Sequence, residues 1–217
     1  MKLISSKYRR IGFTSSDLLI VMVTVALAVL LAGTPYSRSN GRKSTRLKCV
    51  SNLKQIGLAF RLWSADHGER FPMSVSPFEG GTSGFSRPDD AFYHYLAISN
   101  KMNSPKVLVC PCDKERKQTP DFATFDNRNL SYFIGLDARE LDPQMILSGD
   151  RNISTKGCVI SGIFRLNTNP PINWTKDIHD HCGNIGLSDG HVDQLSDSAL
   201  MNQINSHANF SARIAIP

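Results

Sequence analysis

Within the fifteen residues from position 179 to 193, His179, His181, Cys182, Asp189, His191 and Asp193 crowd together. Imidazole and thiolate suit zinc, while carboxylates with backbone carbonyls suit calcium, so the stretch invites a metal reading. Cys110 and Cys112 are further donors if the fold brings them close. No pair, however, has the C-x2-C or H-x3-H spacing of a dedicated zinc site. No metal is therefore assigned, and His179, His181, Asp189 and His191 are the donors left to test. A Cys182/His181/Asp189 hydrolase can be written on the same residues, but adjacent residues rarely present both side chains to one substrate. The sequence has no phosphate-binding glycine loop and no H-E-x-x-H. The expectation is a protein that is not an enzyme.

The element that must position these donors is a hairpin. Asp189-Gly190 is the turn pair favoured for type I′ geometry, in which both central residues take positive φ. A two-residue loop pairs Leu187 with Val192 on one face and Ser188 with His191 on the other. Ile185 and Leu187 then point inward together. His179 can donate a hydrogen bond that fixes the approach to the hairpin.

Further back, Leu47, Val50, Leu53, Ile56, Phe60 and Trp63 recur at steps of three and four. This is the apolar stripe of an amphipathic helix that packs on the chain's own sheet. Ser64 to Gly68 stops it, and Phe71-Pro72 begins an extended segment. Residues 74–90 read as a surface loop rich in Gly, Ser, Pro and Asp. "DDAFYHYLAI" reads as a short helix, and "KVLVC", "LSYFIGL", "QMILSGD" and "GCVISGIF" as strands. "SDSALMNQIN" is a final helix capped by Ser196. Strands gathered after an initial helix give an α+β fold.

The composition, 41% hydrophobic and 20% charged, excludes wholesale disorder. Net charge is +6, but Lys2, Lys7, Arg9 and Arg10 precede the apolar run at 18–32, and Arg38, Arg42, Lys43, Arg46 and Lys48 follow it. Basic flanks of that kind meet lipid headgroups, so no nucleic acid is expected as a partner. The five cysteines, Cys49, Cys110, Cys112, Cys158 and Cys182, leave at least one thiol unpaired within a monomer, and sequence does not fix the pairing.

From Leu18 to Ala32 the only polar residue is Thr24. Those residues rise about 22 Å as a helix, short of the ~30 Å hydrocarbon core. Extension over 13–33 reaches about 31 Å and brings Ser15, Ser16 and Asp17 to the membrane boundary. A secretory signal, a plain anchor, and a segment that is cut short and packs against copies of itself all remain open. A signal fits the length, but Ala26-Leu27-Ala28 lies inside the run and Ala32-Gly33-Thr34 is a poor cleavage site. A plain anchor gives Ser15, Ser16 and Asp17 no purpose, beyond the preference of acids for a helix's first turn.

Gly12-Phe13-Thr14-Ser15-Ser16-Asp17 ahead of an apolar helix resembles the class III signal of type IV pilins and type II secretion pseudopilins. The resemblance implies cleavage after Gly12 by a membrane-embedded peptidase, N-methylation of Phe13, and retention of the apolar helix as anchor and filament core. It also implies that Asp17 pairs with the free Phe13 amine of a neighbouring subunit and sets axial register. The family's usual residue there is glutamate, and aliphatic residues are common where this chain has Ser15-Ser16.

"KCVSNLKQIGLAFRLWSADHGERFP" is similar to pseudopilin-like proteins of planctomycete and verrucomicrobial bacteria, through Cys49, Asn52, Leu53, Lys54, Gln55, Gly57 and Ala59. His179, nine residues and then Asp189-Gly190 resemble their C-terminal H-x9-DG module. Between these, only Cys110-Pro111-Cys112-Asp113 and Ser148-Gly149-Asp150-Arg151 match, loosely. The resemblance implies a leader at 1–12, a transmembrane and filament-core helix at 13–33, its amphipathic continuation at 34–70 and an α+β head at 71–217 on an antiparallel sheet, pilin-like. It implies a pseudopilin-like structural subunit, single-pass in the inner membrane with a periplasmic head. Its partners would be the membrane, prepilin peptidase and neighbouring subunits. No cofactor is expected, with calcium left open by the resemblance alone. The competing expectation is an anchored periplasmic binding module that does not polymerise.

Overall fold

The structure, a computed structural model, describes residues 14–32, 37–167, 169–206 and 212–217. The chain divides into two compact units, residues 1–41 and 42–217. The expected cut junction, Gly12 and Phe13, lies outside the described residues.

The first unit contains helix α1, Ser15–Ala32. Asp17 secures its start: the carboxylate accepts hydrogen bonds from the Thr14 backbone N–H at 2.9 Å and from its hydroxyl at 2.8 Å. This is the reciprocal half of a capping box, satisfying a donor that the helix itself leaves orphaned. Thr24 is satisfied within the helix, donating its hydroxyl to the Val21 carbonyl at 2.9 Å. The apolar side chains face outward all round, with Leu18, Ile20, Met22, Val25, Leu27 and Leu30 each more than half exposed. Eighteen residues rise about 27 Å. Among the described residues no helix is long and apolar enough to cross a membrane.

In chain order the next elements are α2 (Ser37–Ala65), α3 (Ala91–Ala97), β1 (Tyr132–Gly135), β2 (Ile146–Asp150), β3 (Ile153–Thr155), β4 (Cys158–Val159), β5 (Gly162–Arg165), β6 (Ile172–Trp174), β7 (Cys182–Leu187), β8 (Val192–Ser196), α4 (Asp197–Ser206) and β9 (Arg213–Ile216). The second unit is α+β, with antiparallel sheets. Six strands run in the order β5-β9-β1-β2-β7-β8, and three in the order β4-β3-β6.

The larger sheet separates two hydrophobic clusters, and strand alternation decides which side chain joins which. Tyr132, Ile134, Leu147 and Ala215 join Leu53, Ile56, Phe60 and Trp63 of α2 and Tyr95 of α3. Phe133, Ile146, Ile214 and Ile216 face the other way, toward Ile153, Ile172 and Trp174 of the smaller sheet and Leu200 and Ile204 of α4. The amphipathic helix is therefore present and ends at Ala65. Among the described residues its buried stripe begins at Cys49, four residues before Leu53, whereas Leu47 is exposed.

Several sequence expectations need correction. "KVLVC" is no strand: Pro105–Leu108 is a 3-10 turn with Pro105 at its start and the Ser104 hydroxyl accepting from Lys106 N–H. "GCVISGIF" is two strands in different sheets, β4 and β5, broken at 160–161, and β5 opens on Gly162 at φ 76°. The 74–90 segment is only partly a surface loop. Val75 and Thr82 are buried, and Thr82 hydrogen-bonds His94 at 2.7 Å. Helix α4, whose Ser196 cap accepts from Ala199 N–H at 3.4 Å, is not the last element. Strand β9 follows and lies inside the larger sheet between β5 and β1.

Candidate functional site

Helix α2 carries Arg46, Cys49 and Asn52 at steps of three, so they share one face. Each engages a different distant segment. Cys49 is disulfide-bonded to Cys110, with Cα atoms 5.3 Å apart. Asn52 donates its amide to the Val109 carbonyl at 3.2 Å. Arg46 donates to the His179 carbonyl at 2.8 Å.

His179 is delivered by a tight reversal. Asp180 and His181 both take left-handed conformations, at φ 56° and 60°, before β7 begins. Asp and His tolerate that region better than most residues with a side chain. His179 is thereby buried with its Nε2 3.5 Å from Cys110 Sγ and 3.3 Å from Asp150 Oδ2. Asp150, at the end of β2, is also fully buried, and its Oδ2 accepts from the backbone and side-chain amides of Asn184 at 2.7 and 2.8 Å.

Burial, with a smaller contribution from the Arg46 cation, lowers the His179 pKa to about 4. Burial raises Asp150 to about 7; the Asn184 donors oppose that rise and the Asp113 charge adds to it. At neutral pH the imidazole is uncharged, with a lone pair available. Burial also pushes the half-buried Cys112 thiol up, with the Asp150 carboxylate adding to the rise and Arg46 opposing it.

The Sγ atoms of Cys49, Cys110 and Cys112 and a ring nitrogen of His179 all lie within 4.8 Å of one another. The next residue, Asp113, accepts a two-pronged hydrogen bond from Arg151 at 2.7 and 2.9 Å. Arg151 holds the Asp113 carboxyl low although burial alone would raise it. The loosely matching stretches at 110–113 and 148–151 are thus a single structural unit, joined to His179.

The metal-donor set taken from the sequence is not assembled. His181, Asp189 and His191 are exposed, and the His191 ring pairs with Asp193, at 3.0 Å. The adjacent Cys182 starts β7 away from the cluster that His179 joins. Cys49 was the donor that sequence reasoning missed. Its signal was present, since it occupies a core position of the α2 stripe.

The hairpin forms in a different register. Gly186 pairs with Val192 and Ile185 with Asp193. Leu187 N–H donates to His191 at 2.8 Å, and Gly190 N–H to Leu187 at 2.9 Å. The loop is Ser188-Asp189-Gly190, with only Gly190 left-handed, at φ 88°. This is the three-residue type I turn closed by a glycine bulge, in place of type I′. Asp189 accepts from His191 N–H at 2.8 Å, which holds the turn without positive φ at Asp189. Ile185 and Leu187 are both buried.

The turn also meets α2. Arg61 donates to the Asp189 carbonyl at 3.0 Å, and a Cβ on Gly57 would lie 3.5 Å from Gly190 Cα. Stretch 49–59 and stretch 179–190 therefore touch at both ends, through Cys49 at one and Gly57 at the other. A separate cleft of about 430 Å³, lined by residues including Arg70, Met73, Leu136 and Leu141, contains none of these groups. Compared with known protein families, curated proteins and solved structures, the chain matches none.

Proposed function

We propose that this chain is a pseudopilin-like structural subunit of a type II secretion or type IV pilus-type assembly, made with the leader Met1–Gly12 and processed by prepilin peptidase. The observation that carries the reading is α1, apolar on every face and exposed on every face, with one carboxylate at its start. Burying a Leu, Val, Ile or Met side chain is worth about 1.5–3 kcal/mol, so such a helix calls for lipid or for other helices like itself. The flanking residues of 13–33 complete the span in this reading. Asp17 then serves the neighbouring subunit's Phe13 amine, and the α+β unit is the periplasmic head. The packing of α2 against an antiparallel sheet supports the pilin-like architecture.

The test is the N-terminal sequence and intact mass of the protein recovered from its native membrane. A chain beginning at N-methylated Phe13 is the expected result. A chain beginning at Met1 would leave a single-pass anchored binding module that does not polymerise. One beginning near residue 34 would leave a secreted domain, and either outcome overturns the proposal.

A further inference from the structure

The disulfide accounts for Cys49 and Cys110 but not for the Cys112 thiol and the buried His179 imidazole beside it. We propose that when the disulfide is reduced, the chain binds one zinc ion through Cys49 Sγ, Cys110 Sγ, Cys112 Sγ and His179 Nε2. Tetrahedral zinc takes Cys3His sets at about 2.3 Å from sulfur and about 2.0–2.1 Å from nitrogen, which separates the ligand atoms by roughly 3.5–3.8 Å. The Cys110–His179 distance is already 3.5 Å, and no pair in the group exceeds 4.8 Å. Breaking the S–S bond frees the two sulfurs to take up that spacing.

Three thiolates and Zn2+ sum to one negative charge; Arg46 sets a positive charge against His179, and the Asp150 carboxyl lies 3.3 Å from His179 Nε2. The ligands come from three rigidly tied places: α2, the 110–113 loop clamped by Arg151, and the reversal ahead of β7. Three of the four are buried, which closes the site in the manner of a structural metal. The chemistry balances. A phosphine reductant gives two electrons to the disulfide and becomes its oxide with a water oxygen, and the two sulfurs take the hydrogens. Zinc then displaces three thiol protons. This inference does not depend on filament assembly, and its test contains no filament.

The experiment uses the full chain in detergent, reduced with a phosphine and then freed of it, with zinc content, proton release and cobalt(II) spectra as readouts. The expected result is one zinc per reduced chain, about three protons released on loading, and the charge-transfer and intense visible bands of tetrahedral cobalt thiolate. The disulfide form should hold none. Cys112→Ser leaves the disulfide partners untouched, so the oxidised variant should fold; in the reduced variant, affinity should fall by at least about tenfold. His179→Gln should shift the cobalt spectrum. A reduced chain that unfolds and regains its circular dichroism only with zinc also supports the site. Less than stoichiometric zinc on a folded reduced chain, zinc that fails to restore an unfolded one, or unchanged affinity in Cys112→Ser overturns it.

Discussion

Arg151 grips Asp113 with two parallel hydrogen bonds, at 2.7 and 2.9 Å, across 38 residues of sequence. The Arg151 side chain is 12% exposed and that of Asp113 only 1%, so this pair is screened far less than a surface pair. It fixes the loop carrying Cys110 and Cys112 to the end of β2, where Asp150 meets His179. Removing one partner leaves the other charge buried and uncompensated, at a cost of about 3–5 kcal/mol. Arg151→Ala should lower unfolding stability by that amount in denaturant titration. A loss under about 1 kcal/mol would mean the clamp is only incidental to the fold.

The Cys49–Cys110 bond ties α2 to a loop 61 residues away. A cross-link closing a loop of that size restricts the unfolded chain enough to contribute about 4 kcal/mol. Reduction in the presence of a chelator should therefore lower the unfolding midpoint in urea. Cys49→Ser combined with Cys110→Ser should show the same lowering and no further response to reductant. An unchanged midpoint on reduction would rule out the cross-link as a support of the second unit.

Much of this architecture was legible because periodicity is a local signal. The steps of three and four from Leu53 to Trp63 gave α2, and the apolar runs at 130–136 and 144–150 gave β1 and β2. Beta strands that owe their form to neighbours were not legible. Ile153–Thr155, Ile172–Trp174 and Arg213–Ile216 are three or four residues long, and they become strands through pairing and through cover by Trp174, Leu200 and Ile204. The site shows the same division. His179, Asp189 and Gly190 stand out by spacing, but the partnership of His179 with Cys110 and Asp150 is a product of tertiary packing. The turn was misassigned because Asp-Gly suits both hairpin geometries, and the pairing of Gly186 with Val192 selects the longer loop.

His94 gives the second unit a pH dependence independent of the sulfur cluster. Its ring is 1% exposed and bonded to Thr82, and burial lowers its pKa to about 4, against smaller opposing effects from the Phe85 backbone and the Asp90 charge. The unfolded value is near 6.5, so between pH 6.5 and 4 the unfolded chain binds more protons than the folded one. Stability from this residue is complete above pH 6.5 and is lost as pH falls toward 4, by about 3 kcal/mol in all. Unfolding measured from pH 7 to 4.5 should show that fall, and His94→Asn should flatten it relative to the parent. Parallel curves for the two proteins would remove His94 from the explanation.

Asp17 separates the assembly reading from a plain anchor. Its carboxylate already accepts from Thr14, an interaction that organises the first turn of α1. That contact is local to the first turn, too small to prevent insertion of a helix as apolar as α1. If the carboxylate also pairs with a neighbour's Phe13 amine, its loss removes a charge partner at a site of low dielectric, where each subunit added to a filament meets the same deficit. Asp17→Ala should therefore remain in the membrane fraction at parental levels and still be cleaved after Gly12, yet be missing from sheared filaments or from cross-linked pseudopilus. Asp17→Glu, which restores the family's usual acid, should recover incorporation. Incorporation of Asp17→Ala at the parental level would reduce Asp17 to a helix cap and leave α1 as an anchor.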